Sequence, residues 1–312
     1  MSRRSCARPA IDGTSRVPGL NWVKASTTAP SKMSWPRAYH QMGPTMASPV
    51  GSERDIGWAM SEHEETSPLA PGLYVVGTPL GNLEDITLRA LRVLRSVDVM
   101  ACEDTRRTWK LLNHFEIPRP SHFFAAHDHN EARVASRILG FLEAGVPVAL
   151  VSDAGMPLIS DPGFVVSRAA READHPVHII PGPTAAVTGL VASGLPVHSF
   201  LFKGFPPRKS GQRTRFFEEE LMNPATLIVY ASPHRIGSVL NTAAAVFGDR
   251  PAALCVELTK KFEQIERGGL LSLAARFAEK APKGELTLLI HGYHKKHHQG
   301  WLSARDVTDA PG

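Results

Sequence analysis

From Leu73 onward the order of apolar runs predicts an α/β protein built as two halves with a ligand cleft between them. Three observations carry this. Short apolar runs alternate with stretches of helical period, the pattern of parallel strands joined by crossover helices. Pro181-Gly182-Pro183 interrupts the alternation, since proline and glycine stop both helix and strand. Beyond that break it resumes, with late strands so close in sequence that a mixed, partly antiparallel sheet follows. Clefts between two such halves are where ligands commonly bind.

In chain order, the first half predicts strands at Leu73–Val76, Val97–Cys102, His122–Ala125, Val148–Val151 and Val177–Ile180. Helices are expected between them at Thr87–Arg95, Arg107–His114, Asn130–Glu143 and Asp161–Ala173. In the first helix Leu88, Leu91 and Leu94 recur three apart and are expected to bury one face, leaving Arg89, Arg92 and Arg95 on the other. The second half predicts a helix at Thr184–Ser193, then strands Ser199–Lys203, Thr226–Tyr230, Ala252–Leu258, Gln264–Arg267 and Glu285–His291. Helices Arg213–Leu221, Pro233–Phe247 and Leu270–Glu279 fall between those strands. The expected organisation is therefore an extension over 1–70, one α/β domain over 71–182, a second over 183–293, and a polar tail over 294–312.

Composition narrows the function classes. With 312 residues, 43% of them hydrophobic and 21% charged, the chain can fill two cores of ordinary size. No run approaches the ~18–20 apolar residues of a membrane helix. Cys6, Cys102 and Cys255 are odd in number and far apart, which excludes a disulfide framework and a thiolate zinc site and fits a reducing, cytoplasmic setting. The net charge of +5 is local: residues 1–59 hold eight Lys/Arg against three Asp/Glu, and the remaining 27 of each sign cancel. Basic charge therefore argues for nucleic acid only where it is clustered. The Ser/Pro/Arg-rich stretch 1–59 has the composition of either a transit peptide or a non-native extension ahead of Met60, and the absence of an amphipathic helix favours the extension. His291–His298 lacks partnering acids or cysteines and reads as a solvated tail, so no metal is expected.

Five loops hold the chemistry. Gly77–Asn82 follows the first strand, where glycines let backbone approach a ligand, although it matches neither dinucleotide nor P-loop spacing. Glu103-Asp104-Thr105-Arg106-Arg107 suits either a helix cap with salt bridges or a polar site edge. His127-Asp128-His129-Asn130-Glu131 fits a capping box around Asn130, or hydrogen bonds to a polar substrate, better than a metal site. Ser152–Gly163 is long and rigid; Asp161-Pro162 has the form of a helix cap, a role not open to Asp153. In Lys203–Arg215 five cations, Lys203, Arg208, Lys209, Arg213 and Arg215, lie within thirteen residues beside Phe205. That loop suits an RNA backbone with a stacking aromatic, or is simply a solvated surface loop.

In this order these loops, with Ser232-Pro233-His234-Arg235, Glu257–Lys261 and Lys283-Gly284-Glu285, resemble the tetrapyrrole methylase superfamily over Leu73–Gly292. More narrowly they look like its ribosomal branch, which 2′-O-methylates a cytidine of 16S rRNA in the small ribosomal subunit. The resemblance implies two α/β domains of tetrapyrrole methylase type with the cofactor cleft between them, a homodimer, and S-adenosyl-L-methionine as methyl donor. Carried over by residue, the donor pocket comprises Pro79, Ser152, Asp153, Gly155, Met156, Thr184, Ala185, Tyr230, Ala231, Gly284, Glu285, Leu286 and Thr287. The reaction it implies asks for a base, with Asp104, Glu103 and His127 as candidates and Arg106 orienting a phosphate; Asp104→Ala is expected to abolish transfer. Met156 stands where the branch usually has threonine and Ala231 where it usually has glutamate, and only a short polar stretch follows the last strand. The alternatives are a methylase of a tetrapyrrole or other small molecule on this fold, and a non-catalytic RNA-binding assembly protein.

Overall fold

The structure, a computed structural model, describes residues 68–127, 129–279 and 282–294, all within the compact unit Ala59–Gly312. The expected extension up to residue 67, Asp128, and the tail beyond His294 lie outside the described residues. Among the described residues ten strands form two five-stranded sheets.

The first sheet comprises β1 (Leu73–Val76), β2 (Val99–Cys102), β3 (His122–Ala125), β4 (Val148–Val151) and β5 (Val177–Ile180), all parallel in the order β3-β2-β4-β1-β5. Successive side chains of a strand face opposite ways, so β1 serves two cores. Tyr74 and Val76 pack with Ala90, Leu91, Val93 and Leu94 of α1 (Leu88–Ser96) and Leu112 of α2 (Thr105–His114). Leu73 and Val75 pack with Val134 and Ile138 of α3 (Glu131–Glu143) and Val166 and Ala170 of α4 (Phe164–Glu172).

The second sheet holds β6 (Phe200–Phe202), β7 (Thr226–Ala231), β8 (Pro251–Val256), β9 (Gln264–Gly269) and β10 (Leu286–Ile290) in the order β6-β7-β10-β8-β9. Only β6 and β7 run parallel; the rest is antiparallel. One face is covered by α6 (Ser210–Glu218), α7 (Ile236–Phe247) and α8 (Leu270–Glu279), the other by α5 (Ala185–Ser193) through Ala186 and Leu190.

Three expectations fail for physical reasons. Leu88 is 72% exposed, because a three-residue step drifts round a helix of 3.6 residues per turn. The face that α1 buries is Ala90-Leu91 and Val93-Leu94, while Thr87 caps its start by accepting from Ala90 N at 3.1 Å. Asp161 does not begin α4. That helix starts at Phe164 behind Gly163, whose N–H, with that of Val165, donates to the Glu131 carboxylate at 2.8 Å each. A cap from 32 residues away has displaced the local one. Nor does Asn130 cap α3; its side chain closes the preceding turn, accepting from His127 N and donating to Ala125 O.

The loops after β1 and β5 meet at two glycines. A Cβ on Gly182 would lie 2.9 Å from Gly77 Cα, and one on Gly77 would lie 2.7 Å from Gly182 Cα. Gly140, in α3, has open space around its missing side chain. Gly182→Ala is therefore expected to lower the unfolding midpoint, whereas Gly140→Ala gains about 0.5–1 kcal/mol in denaturant unfolding from helix propensity.

Candidate active site

Ligands of open parallel sheets bind outside the carboxyl ends of the strands, and here those ends converge on a cleft of about 320 Å³. The loops after β1 and β4 are tied together by reciprocal backbone bonds, Thr78 N to Gly155 O at 2.9 Å and Gly155 N to Thr78 O at 3.0 Å. The loops after β2 and β4 clasp in a similar way: Asp104 N donates to Asp153 Oδ1 at 3.0 Å and Asp153 N to Glu103 Oε2 at 3.2 Å. Across the cleft, Ala231 at the end of β7 sits opposite Leu286 at the start of β10, which also pairs with Val256 of β8. Antiparallel pairing thus brings a strand end and a strand start to one rim.

Most of the residues carried over for a donor pocket line this cleft: Asp153, Gly155, Met156, Thr184, Ala185, Tyr230, Ala231, Gly284, Glu285, Leu286 and Thr287. Pro79 and Ser152 do not; they line a smaller adjoining hollow, and Ser152 is buried beneath the loop. Met156 reaches the glycine contact, with its Sδ 2.7 Å from where a Gly77 Cβ would stand. The candidate bases separate. Glu103 faces the cleft, while Asp104, Arg106 and His127 are not part of its wall. Asp104 caps α2 and grips Arg106 at 3.0 and 2.7 Å, and hydrogen bonds from the Arg106 side chain and N–H hold its carboxyl well below the usual range. An acid so strongly held in its ionised form is a weak proton acceptor. His127 is exposed on the turn before α3.

The expected loop ends at Lys209, and Arg213 and Arg215 belong to α6; of the five cations, Arg208, Lys209 and Arg215 are exposed and the other two are structural. Lys203 donates to Phe216 O, Glu219 and Glu220 at 2.8–3.0 Å, so it is committed to α6 rather than to a ligand. Arg213 is 7% exposed and donates to Thr242 Oγ1 and to Arg208 O. Arg235 donates to Pro206 O, fastening the same loop from a second side. Phe205, at the root of the loop, lines the cleft with its ring 5.6 Å from that of Tyr230.

The cleft wall also contains residues given no such role from sequence, Arg107 and Asp161 among them. Arg107 pairs with Asp153 at 3.3 Å. Asp161 was hidden by its resemblance to a cap; the signal against capping was Glu131, whose reach across to α4 no local pattern reveals. Four carboxylates (Glu103, Asp153, Asp161, Glu285) therefore face the cleft with one guanidinium. Burial pushes the Cys102 and Cys255 thiols up to about 12 and about 11, so neither serves as a nucleophile. Among the described residues no group of three His, Cys, Asp or Glu could hold a metal, and no helix is long and apolar enough to cross a membrane.

A profile of tetrapyrrole (corrin/porphyrin) methylases matches residues 72–274. The chain belongs to the tetrapyrrole methylase family. Among its relatives, the ribosomal RNA small subunit methyltransferase I of Micromonospora olivasterospora is 48% identical over 226 residues, 72% of each chain. The Vibrio cholerae protein of the same description is 48% identical over 237 residues, 75% of this chain and 82% of that one. The fold extends to the Thermus thermophilus uroporphyrin III C-methyltransferase complexed with S-adenosylhomocysteine, at TM-score 0.51 and 21% identity over 70% of this chain and 96% of that one. In this family member the two caps predict opposite behaviour. Glu131→Ala is expected to cost about 1–2 kcal/mol in denaturant unfolding, the range for a lost cap. Asp104→Asn, which keeps an oxygen acceptor and loses an exposed ion pair, is expected to leave the midpoint nearly unchanged.

Proposed function

We propose that this chain transfers a methyl group from S-adenosyl-L-methionine to a cytidine 2′-oxygen in 16S rRNA of the small ribosomal subunit. The observation that carries this is the pairing of an acidic cleft with an exposed basic loop at its mouth, in a chain 48% identical to small-subunit methyltransferases. The cleft fits the donor chemically. Its volume of about 320 Å³ lies at the lower end of the usual ligand-pocket range. Ala185, Ala231, Leu258 and Leu286 offer an apolar wall for a flat ring, Tyr230 an aromatic one, and the four carboxylates suit a cationic sulfonium. Met156 and Ala231 would hold it by contact alone, without the polar groups usual at those positions in the branch. When bound, the donor supplies a methyl carbon on positive sulfur, so that an O–C bond forms as the C–S bond breaks and its electron pair stays on sulfur.

The chain's own residues supply alignment and exclusion of phosphate. Holding the reacting atoms in line accounts for a large share of such a rate enhancement. The negative cleft repels the RNA backbone, which leaves Arg208, Lys209 and Arg215 outside it as phosphate contacts. Asp104 and Arg106 act as a paired cap at the rim. We also propose a cytoplasmic homodimer. Supporting it, α5 covers the second sheet with one face and leaves Val187 and Val191 48% and 73% exposed on the other.

The deciding experiment is methyl transfer from labelled S-adenosylmethionine to small subunits lacking the modification, followed by nucleoside analysis. A 2′-O-methylcytidine product is expected. Donor binding without transfer would point to another acceptor, and no binding to a non-catalytic role. In the same assay Asp104→Asn is expected to retain activity; its abolition would return Asp104 to the reacting centre. Replacing Arg208, Lys209 and Arg215 by alanine together should weaken subunit binding and flatten its log–log salt dependence by about 2, as loss of three phosphate contacts requires.

A further inference from the structure

We propose that Asp161 is the proton acceptor for the RNA hydroxyl that is methylated in this cleft. The assignment rests on the function proposed above and names a residue that the capping pattern of the sequence set aside.

Four structural facts support it. First, Asp161 is not needed where its sequence context places it: Glu131 accepts both N–H groups at the start of α4, so the Asp161 carboxylate is released from capping. Second, it forms part of the cleft wall. The chain is bent sharply to put it there, with Leu158 and Ser160 at φ 74° and 66°. Left-handed backbone at two non-glycine residues is a cost that folds concentrate at functional sites. Third, Asp161 adjoins the path that RNA would take. A Cβ on Gly204, at the root of the basic loop, would lie 3.0 Å from Ser160 Oγ, and Phe205 next to it shares the cleft wall with Asp161. Gly204 and Phe205 thus place the root of the basic loop on the Asp161 side of the cleft.

Fourth, the other acids of the cleft are occupied. Glu103 accepts from Asp153 N. Asp153 accepts from Asp104 N and pairs with Arg107. Glu285 pairs with Lys260 at 3.2 Å. Among the described residues Asp161 forms no ion pair, and Ser152 is its hydrogen-bonding neighbour. Burial, then the charges of Glu103, Asp153 and Glu285, push its carboxyl up to about 7, against the pull of the Ser152 bond. The remaining charged or titratable groups of the wall are Arg107, on α2, and Tyr230, on β7. A base matched to the working pH accepts a proton effectively, which an acid tied to a cation does not. In the proposed step the 2′-oxygen loses its proton to the Asp161 carboxylate as it forms its bond to the methyl carbon and the C–S bond breaks; the proton then leaves to water.

The test compares wild type, Asp161→Asn and Asp161→Glu in single-turnover methyl transfer to unmodified small subunits across pH. Calorimetry of S-adenosylmethionine binding is run in parallel. At saturating donor Asp161→Asn is expected to lose on the order of 10²–10⁴-fold in rate, well beyond the weakening of donor binding that follows from removing one of the four carboxylates. The acid limb of the wild-type rate profile, at or below pH 7 because a cationic donor favours the ionised carboxylate, should vanish in that variant. Asp161→Glu should recover part of the rate and show the limb at a shifted midpoint. Carboxyl-carbon NMR of the donor-free protein supplies an independent readout: a carboxyl titrating near 7 that is missing in Asp161→Asn. A rate for Asp161→Asn within a few-fold of wild type, or an acid limb unchanged in Asp161→Glu, overturns the assignment alone. Should Asp161→Asn fail to fold, the limb in Asp161→Glu and the titration in wild type decide, an ordinary carboxyl midpoint overturning it. Wild type that transfers no methyl group overturns the proposed function and this assignment with it.

Discussion

The concentration of negative charge in one cleft is the constraint around which the rest of the molecule is arranged. Carboxylates gathered in a partly dry space repel one another, and they persist there only if backbone and cations hold them. The structure meets that requirement with the clasp between the loops after β2 and β4, in which each main-chain N–H serves an acid of the opposite loop. Arg107 and Lys260 close the remaining sides through Asp153 and Glu285. Because β2 and β4 are neighbours in the sheet, the clasp is set by strand register and needs no separate ordering of long loops.

The same charge divides labour across the surface. Under the proposed function a cationic donor is drawn into the cleft and a polyanion is kept at its mouth, so that one field sorts the two substrates before any specific contact forms. The basic loop therefore stands outside the cleft and not along its wall, and the aromatic pair Phe205 and Tyr230 forms the border between the two regions. The two sheets contribute differently. The parallel sheet supplies the acidic loops through its carboxyl ends, and the mixed sheet supplies a largely apolar rim.

Much of this was legible in the sequence, because alternation of apolar runs reports burial directly. Nearly every strand and helix lies within a few residues of where its pattern placed it, down to the mixed second sheet. Local pattern failed where a distant partner decided the outcome. Asp161-Pro162 has every mark of a cap, and only the fold brings Glu131 to do that work. Lys203 and Arg213 read as ligand-facing cations in sequence, but Glu219 and Thr242 hold them in the fold. Leu88 misled for a simpler reason, since a spacing of three describes a stripe that winds off the buried face. The wall residues carried over by resemblance could not have been chosen from composition, because many, like Gly284 and Ala185, have little side-chain chemistry to display.

Arg213 and Arg235 have a kinetic meaning as well as a structural one. By donating to Arg208 O and Pro206 O from beneath, they give the basic loop a fixed backbone course before any RNA arrives. A loop that is already shaped loses little conformational entropy on contact, so its cations act as a template instead of being recruited one by one. Under the proposed function, encounter with the subunit resembles docking of a rigid surface, with speed governed by long-range attraction and orientation, and with salt acting mainly on the rate of arrival.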